Sequence, residues 1–186
     1  MGSLIYLLNV SLDGFVAAPD GSLDWTTVDD ELHTWFNEHE RGLDATLYGR
    51  RIYELMNGHW PTADTDPNST EVMREFARIW KRQPKVVFST SLGAVSGNAR
   101  LVRGDVADVL ADVRREFPGA LGVAGPTLAA EFIQRDLVDE YRLVVHPIIL
   151  GGGKPYFPPL AEPLRLRLVD KHEFASGATY LGYERR

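Results

Sequence analysis

A chain of 186 residues has the size of one domain and should bury roughly 70% of the surface its unfolded form exposes. It contains no cysteine, which excludes thiolate catalysis, zinc-thiolate sites and iron-sulfur clusters. A formal net charge of −6 argues against a nucleic-acid partner, yet leaves room for an anionic cofactor gripped by a few arginines and backbone N–H groups.

In chain order, residues 4–10 form an apolar run suited to a buried strand. Residues 29–39 place Leu32, Trp35, Phe36 and His39 at helical spacing. Residues 45–48 read as a short strand that enters a helix through Gly49-Arg50-Arg51-Ile52-Tyr53-Glu54. Residues 61–69, rich in Pro, Asp, Thr and Asn, read as a loop. Asn68 and Glu71 have the spacing of a capping box, and the helix beyond them carries Val72, Phe76 and Ile79 on one face. Residues 85–88 are a second buried strand. Residues 105–116 are the clearest helix, with Val106, Val109, Leu110 and Val113 at i, i+3, i+4 and i+7. A strand at 121–124 meets Gly125-Pro126, and a helix follows over 127–134. Residues 141–150 are long and apolar enough to cross a sheet and end at three glycines. Residues 164–174 and 179–184 read as a closing strand pair. This alternation predicts an α/β domain: a mixed, mainly parallel sheet with helices on both faces and an antiparallel C-terminal edge.

No run approaches the roughly 20 apolar residues that span a bilayer. The first residues lack the basic segment and cleavage site of a signal peptide, so a cytoplasmic protein of bacterial type, without membrane contact, is expected.

In open parallel sheets ligands sit at the carboxyl ends of the strands, and four features fall there. Val123-Ala124-Gly125-Pro126-Thr127-Leu128 leads a strand into a helix whose first free N–H groups could hold a pyrophosphate; an ordinary strand-to-helix turn is the alternative. Gly49-Arg50-Arg51 offers a guanidinium fork for a 2′-phosphate, or simply a solvated helix start. Ser89-Thr90-Ser91 offers hydroxyls to the same phosphate, or caps a turn. Ser11-Leu12-Asp13-Gly14 is a tight turn, or places a carboxylate at the mouth of the cleft. Gly151-Gly152-Gly153-Lys154 is no phosphate loop, because Ile148 and Pro155 stand where that motif needs glycine and a hydroxyl. The five histidines, at 33, 39, 59, 146 and 172, lack metal-site spacing, so no metal is expected. His146, in an apolar strand, reads as a hydrogen-bonded core residue.

Taken together, Ser11-Leu12-Asp13-Gly14-Phe15-Val16-Ala17, Tyr48-Gly49-Arg50-Arg51-Ile52-Tyr53-Glu54, Gly122 to Leu128, and 137–141 running through His146-Pro147-Ile148-Ile149-Leu150-Gly151-Gly152-Gly153 to Phe157 resemble the dihydrofolate reductase superfamily. They are most similar to the reductase domain of the bifunctional riboflavin-biosynthesis deaminase/reductase and its stand-alone bacterial relatives. The resemblance spans nearly the whole chain and implies a single dihydrofolate reductase-like, three-layer domain.

It also implies NADPH lying across the sheet, the backbone of Val16 and Ala17 flanking the nicotinamide. Gly49, Arg50 and Arg51 would meet the adenosine phosphates, with Ser89 and Thr90 near the 2′-phosphate. Val123, Gly125, Pro126, Thr127 and Leu128 would cover the pyrophosphate. Leu7 and Asn9 would line the substrate cleft, with Asp13 as the polar contact to a small-molecule substrate and the one candidate catalytic side chain. A homodimer is expected on the same ground. Ile52 and Pro126 depart from the family pattern, which often has a hydroxyl and a second glycine there. Counting back from Gly49 puts Leu32 and His33, not an acid, where true dihydrofolate reductases carry their pterin-binding carboxylate; Asp30 and Glu31 would need a shifted register. The readings are, in order, an NADPH-dependent reductase of a small heterocyclic or carbonyl compound, such as a ribosylaminopyrimidine of riboflavin synthesis; a non-catalytic nucleotide-binding dimer; and a folate reductase. A fused deaminase is not expected, since no cysteine exists to build its zinc site.

Overall fold

A computed structural model of the chain describes residues 2–186. The elements run β1 (Leu4–Ser11), β2 (Phe15–Ala17), α1 (Asp30–Arg41), β3 (Leu43–Gly49), α2 (Arg50–Ala63), α3 (Glu71–Arg82), β4 (Lys85–Phe88), β5 (Ala99–Val102), α4 (Val106–Glu116), β6 (Ala120–Ala124), α5 (Pro126–Gln134), β7 (Glu140–His146), β8 (Lys154–Pro155), β9 (Leu166–Glu173) and β10 (Thr179–Arg185). Eight strands make one sheet in the order β5-β4-β3-β6-β1-β7-β10-β9. The first six are mutually parallel, and β10 is antiparallel to both β7 and β9. A small ribbon pairs β2 with β8.

Period two explains the three layers. Leu4, Tyr6 and Val10 of β1 face α4 and α5, where they join Leu110, Val113, Ala129 and Phe132 in the main core. Leu7 faces the opposite side, against Leu32, Trp35 and Phe36 of α1 and Val144 and Tyr180 of the sheet. Tyr48, Tyr53 and Val87 form a third cluster under α2. The central strands, covered on both faces, read as apolar runs for that reason.

Several boundaries differ from the sequence reading. Residues 61–63 continue α2 through Pro61, and Trp60 packs against Phe76 of α3 with tilted rings whose centroids are 4.4 Å apart, so packing overrides the proline. The capping box at Asn68 does not form: Thr70 is the N-cap of α3 and accepts from Met73 N–H, while Asn68 N–H donates to Asp66. β7 stops at His146, because Pro147 has no N–H for the ladder, and the backbone turns through Ile148 N–H to His146 C=O. β2, β5 and β8, two to four residues each, are too short to announce themselves. Among the described residues no helix is long and apolar enough to cross a membrane.

Candidate active site

The carboxyl ends of β1, β3, β4, β6 and β7 open on one rim. Among the described residues, three of the five helices begin with a side-chain cap: Asp29 on α1, Thr70 on α3 and Asp105 on α4. α2 and α5 do not. Their N-caps are Gly49 and Gly125, with no side-chain hydrogen bond, and each leaves its first N–H groups without that partner. These two helices follow β3 and β6, which are neighbours, with Tyr48 opposite Ala124. The turns pack tightly. A Cβ on Gly49 would stand 3.3 Å from Leu128 Cβ, and one on Gly125 would stand 2.9 Å from Ile52 Cγ2. Gly125 also has φ of +94°, a conformation that glycine adopts without strain. The result is a pair of positive helix ends side by side on a glycine floor, a geometry suited to an anion.

Around this floor lie the residues singled out from the sequence. Val123 and Leu128 are buried in the core, so only their backbone is available. Thr127 is exposed and Pro126 half-buried. Arg50 and Arg51 are exposed in the first turn of α2, and Arg50 pairs with Glu54 at 3.2 Å. Beyond β4 a cavity of about 370 Å³ is lined by Ser89, Thr90, Arg103, Gly104, Leu128 and Arg135 among others. Ser89 Oγ accepts from Leu92 and Ser91 N–H at 3.0 and 3.2 Å and stands 3.4 Å from Ser91 Oγ, where either hydroxyl can donate. Arg103 is the cation that the sequence reading missed. It donates to Leu92 C=O at 2.8 Å and has no carboxylate partner among the described residues, whereas Arg135 is bound to Asp105. The only cue in sequence would have been a strand ending at Val102, which passes unseen without its pairing to β4.

On the other side of the rim, Asp13 is fully committed. Oδ1 accepts from Ser11 Oγ–H at 2.6 Å and Leu150 N–H at 3.1 Å, and Oδ2 from Gly151 N–H at 2.7 Å. The Ser11 hydroxyl and then these backbone N–H groups hold the carboxyl below its usual range, so it has no proton to supply and clamps the glycine turn. Gly153, at φ +129°, lies so close to Ala17 that a Cβ would strike its carbonyl oxygen. Val16 is buried and Ala17 half-buried on the β2–β8 ribbon, beside this turn. Asn9 and His146, on adjoining strands, meet: His146 Nε2 and Asn9 Oδ1 are 2.8 Å apart. Leu7 lies one step deeper, in the α1 cluster.

No acid of α1 joins them. Asp29 is spent on the cap, Glu31 accepts from Ala175 N–H at 2.9 Å, and Asp30 is in the first turn of the helix. Leu32 is wholly buried, and His33 turns its ring toward Trp60 and Phe76. Among the described residues no cluster of His, Asp and Glu could hold a metal ion.

Comparison with known proteins fits this geometry. The chain is 29% identical to the uncharacterized protein YyaP of Bacillus subtilis (strain 168) over 181 residues, covering 97% of this chain and 93% of YyaP. It is 27% identical to the uncharacterized protein YwjB of the same organism, covering 97% of each. Among solved structures, a putative riboflavin biosynthesis protein from Shewanella sp. PV-4 superposes with a TM-score of 0.79 at 24% identity over 99% of both chains. A deaminase/5-amino-6-(5-phosphoribosylamino)uracil reductase from Thermotoga maritima gives 0.70 at 17% identity, over 100% of this chain and 57% of that one. The dihydrofolate reductase of Enterococcus faecalis, in complex with NADP(H), gives 0.66 at 17% identity, over 100% and 97%. At these identities the structures share the dihydrofolate reductase fold. The family model for the RibD C-terminal domain matches residues 3–180, and the chain belongs to that family.

Proposed function

We propose that this protein is an NADPH-dependent reductase acting on a small polar heterocyclic or carbonyl compound. The observation that carries the reading is the pair of glycine-capped helix starts on neighbouring strands, where, alone among the described helices, no side chain caps the first backbone N–H groups. The residues present fit a dinucleotide. Gly125, Thr127 and the N-terminus of α5 would hold the pyrophosphate, and Gly49, Arg50 and Arg51 the adenosine side. Ser89, Thr90 and Arg103 converge on the adjoining cavity, which would take the 2′-phosphate. The bound cofactor supplies the hydride.

The protein's own part is orientation. Asp13 fixes the turn at 150–151 against the turn after β1, and the tight contact of Gly153 with Ala17 keeps that edge of the site closed. With Asp13 ionised and bound, the proton that completes reduction comes from water or from the substrate itself. A ribosylaminopyrimidine of the kind reduced in riboflavin synthesis is the first compound to try, in line with the names of the Shewanella and Thermotoga proteins. We expect a cytoplasmic homodimer.

Titration with NADPH and NADH, following quenching of the four tryptophans, tests this. NADPH-selective binding supports it. Arg103→Ala should weaken NADPH by about 1.5–3 kcal/mol and leave NADH unaffected. Equal loss for both cofactors removes the 2′-phosphate assignment. Binding of neither overturns the reductase reading.

A further inference from the structure

The substrate half of the rim is built from neutral donors. Asn9 of β1 and His146 of β7 point to the same face, the one covered by α1, and stand near the carboxyl ends of their strands. His146 is 2% exposed, and burial lowers its pKa and so favours the neutral imidazole. With Asn9 Oδ1 as the acceptor, the imidazole proton is on Nε2 and the amide N–H2 group is turned away from the histidine. Trp25 stands edge-on to His146, ring centroids 5.6 Å apart, and its buried indole N–H has no acceptor among the described residues. An unpaired buried donor is costly and marks a place where an acceptor is expected. Asp13, Asp29 and Glu31 are engaged by backbone N–H groups, and Asp24 is exposed.

We propose that His146 is a positioning residue that locks the Asn9 amide with its N–H2 group toward the substrate, so that Asn9 and Trp25 together recognise carbonyl oxygens of a neutral ring. The assignment rests on the reductase reading for its place in catalysis, but concerns the ring and not the cofactor. Such a ring is the carbonyl-bearing kind already proposed as substrate; what is new is the part His146 plays in presenting Asn9 to it. A cationic aminopyrimidine, which needs a carboxylate partner, is disfavoured.

The test uses two probes on the full chain, with and without saturating NADPH: 6-aminouracil, a neutral ring with two carbonyls, and 2,4-diaminopyrimidine at mildly acidic pH, where its ring is protonated. Ligand-observed NMR should show the wild type binding 6-aminouracil in preference. His146→Phe, which keeps a ring against Trp25, should weaken that binding about tenfold, the usual scale of one misplaced neutral hydrogen bond, and His146→Gln should recover most of it. Asn9→Asp should reverse the preference toward the diaminopyrimidine. NADPH affinity should be unchanged in all three variants.

The assignment is overturned if the wild type favours the cation or binds neither ring, or if His146→Phe binds 6-aminouracil as the wild type does. Long-range ¹H–¹⁵N spectra of the wild type give a check that needs no variant to fold: protonation at Nε2 is expected, and protonation at Nδ1 overturns it. Ring selectivity without NADPH binding would leave this assignment standing and remove the reductase reading. NADPH binding without ring selectivity would do the opposite.

Discussion

The two ends of the parallel sheet handle their polar groups in opposite ways. At the amino end, Lys85 opens β4 and is only 3% exposed. Its ammonium donates to the carbonyls of Gln83, at 2.8 Å, and Trp80, and sits 4.1 Å over the Trp80 ring. Glu40, at the end of α1, has one oxygen sealed from solvent, and burial pushes its pKa up to about 7. Burial draws Lys85 down to about 8, and Glu40 draws it partly back. A cavity of about 780 Å³ also lies at that end; in its lining Arg114 pairs with Asp139 at 2.5 Å and Arg185 with Asp136, beside Arg165 and Arg186, and among the described residues no helix begins there. At the carboxyl end the smaller cavity keeps Arg103 without a carboxylate, and two helices keep their first N–H groups uncapped. What sets the carboxyl end apart is the pair of helix starts without a side-chain cap, on neighbouring strands.

The contrast can be broken from either side. The largest expected effect is at the amino end: Lys85→Ala removes two charge-assisted hydrogen bonds and should cost about 3 kcal/mol in urea unfolding, with NADPH affinity of the folded protein unchanged. Gly125→Ala does the reverse. It forces a side chain into a positive-φ position against Ile52, should cost about 2 kcal/mol, and should also weaken NADPH. A loss of stability with unaltered binding would show that the turn is architectural only.

Glu40→Gln sharpens the electrostatic half. The folded pKa lies above the unfolded value of 4.5, so the stabilising proton is fully bound below about 4.5 and its contribution is lost as pH rises through about 7. The variant should flatten the stability-pH curve across that window; an unchanged slope would refute the sealed-carboxyl picture. The smallest effect is Asp13→Asn, which should raise hydrogen exchange at the Leu150 and Gly151 amides while leaving the global unfolding midpoint almost unmoved.

The central strands were legible because burial on both faces demands unbroken apolar runs, and α4 because its stripe at Val106, Leu110 and Val113 is the face it buries. β2, β5 and β8, two to four residues each, were not, since they exist only by pairing with partners distant in sequence. Arg103 went unseen with β5 for the same reason. The turns at Gly49 and Gly125 were visible as glycines between a strand and a helix. That they lie side by side is a property of strand order.

By itself the sequence determined the fold class, the family resemblance and the positions of the glycine turns, because hydrophobic period and turn chemistry are local and survive in one dimension. The tertiary structure decided which polar groups are spent. Asp13 looked like a free carboxylate until Leu150 and Gly151 closed on it, and His146, read as a hydrogen-bonded core residue, is one, with a partner, Asn9 at 2.8 Å, that only the fold supplies. Hydrogen-bond saturation is set by partners some 137 positions apart in the chain, and no local pattern encodes it.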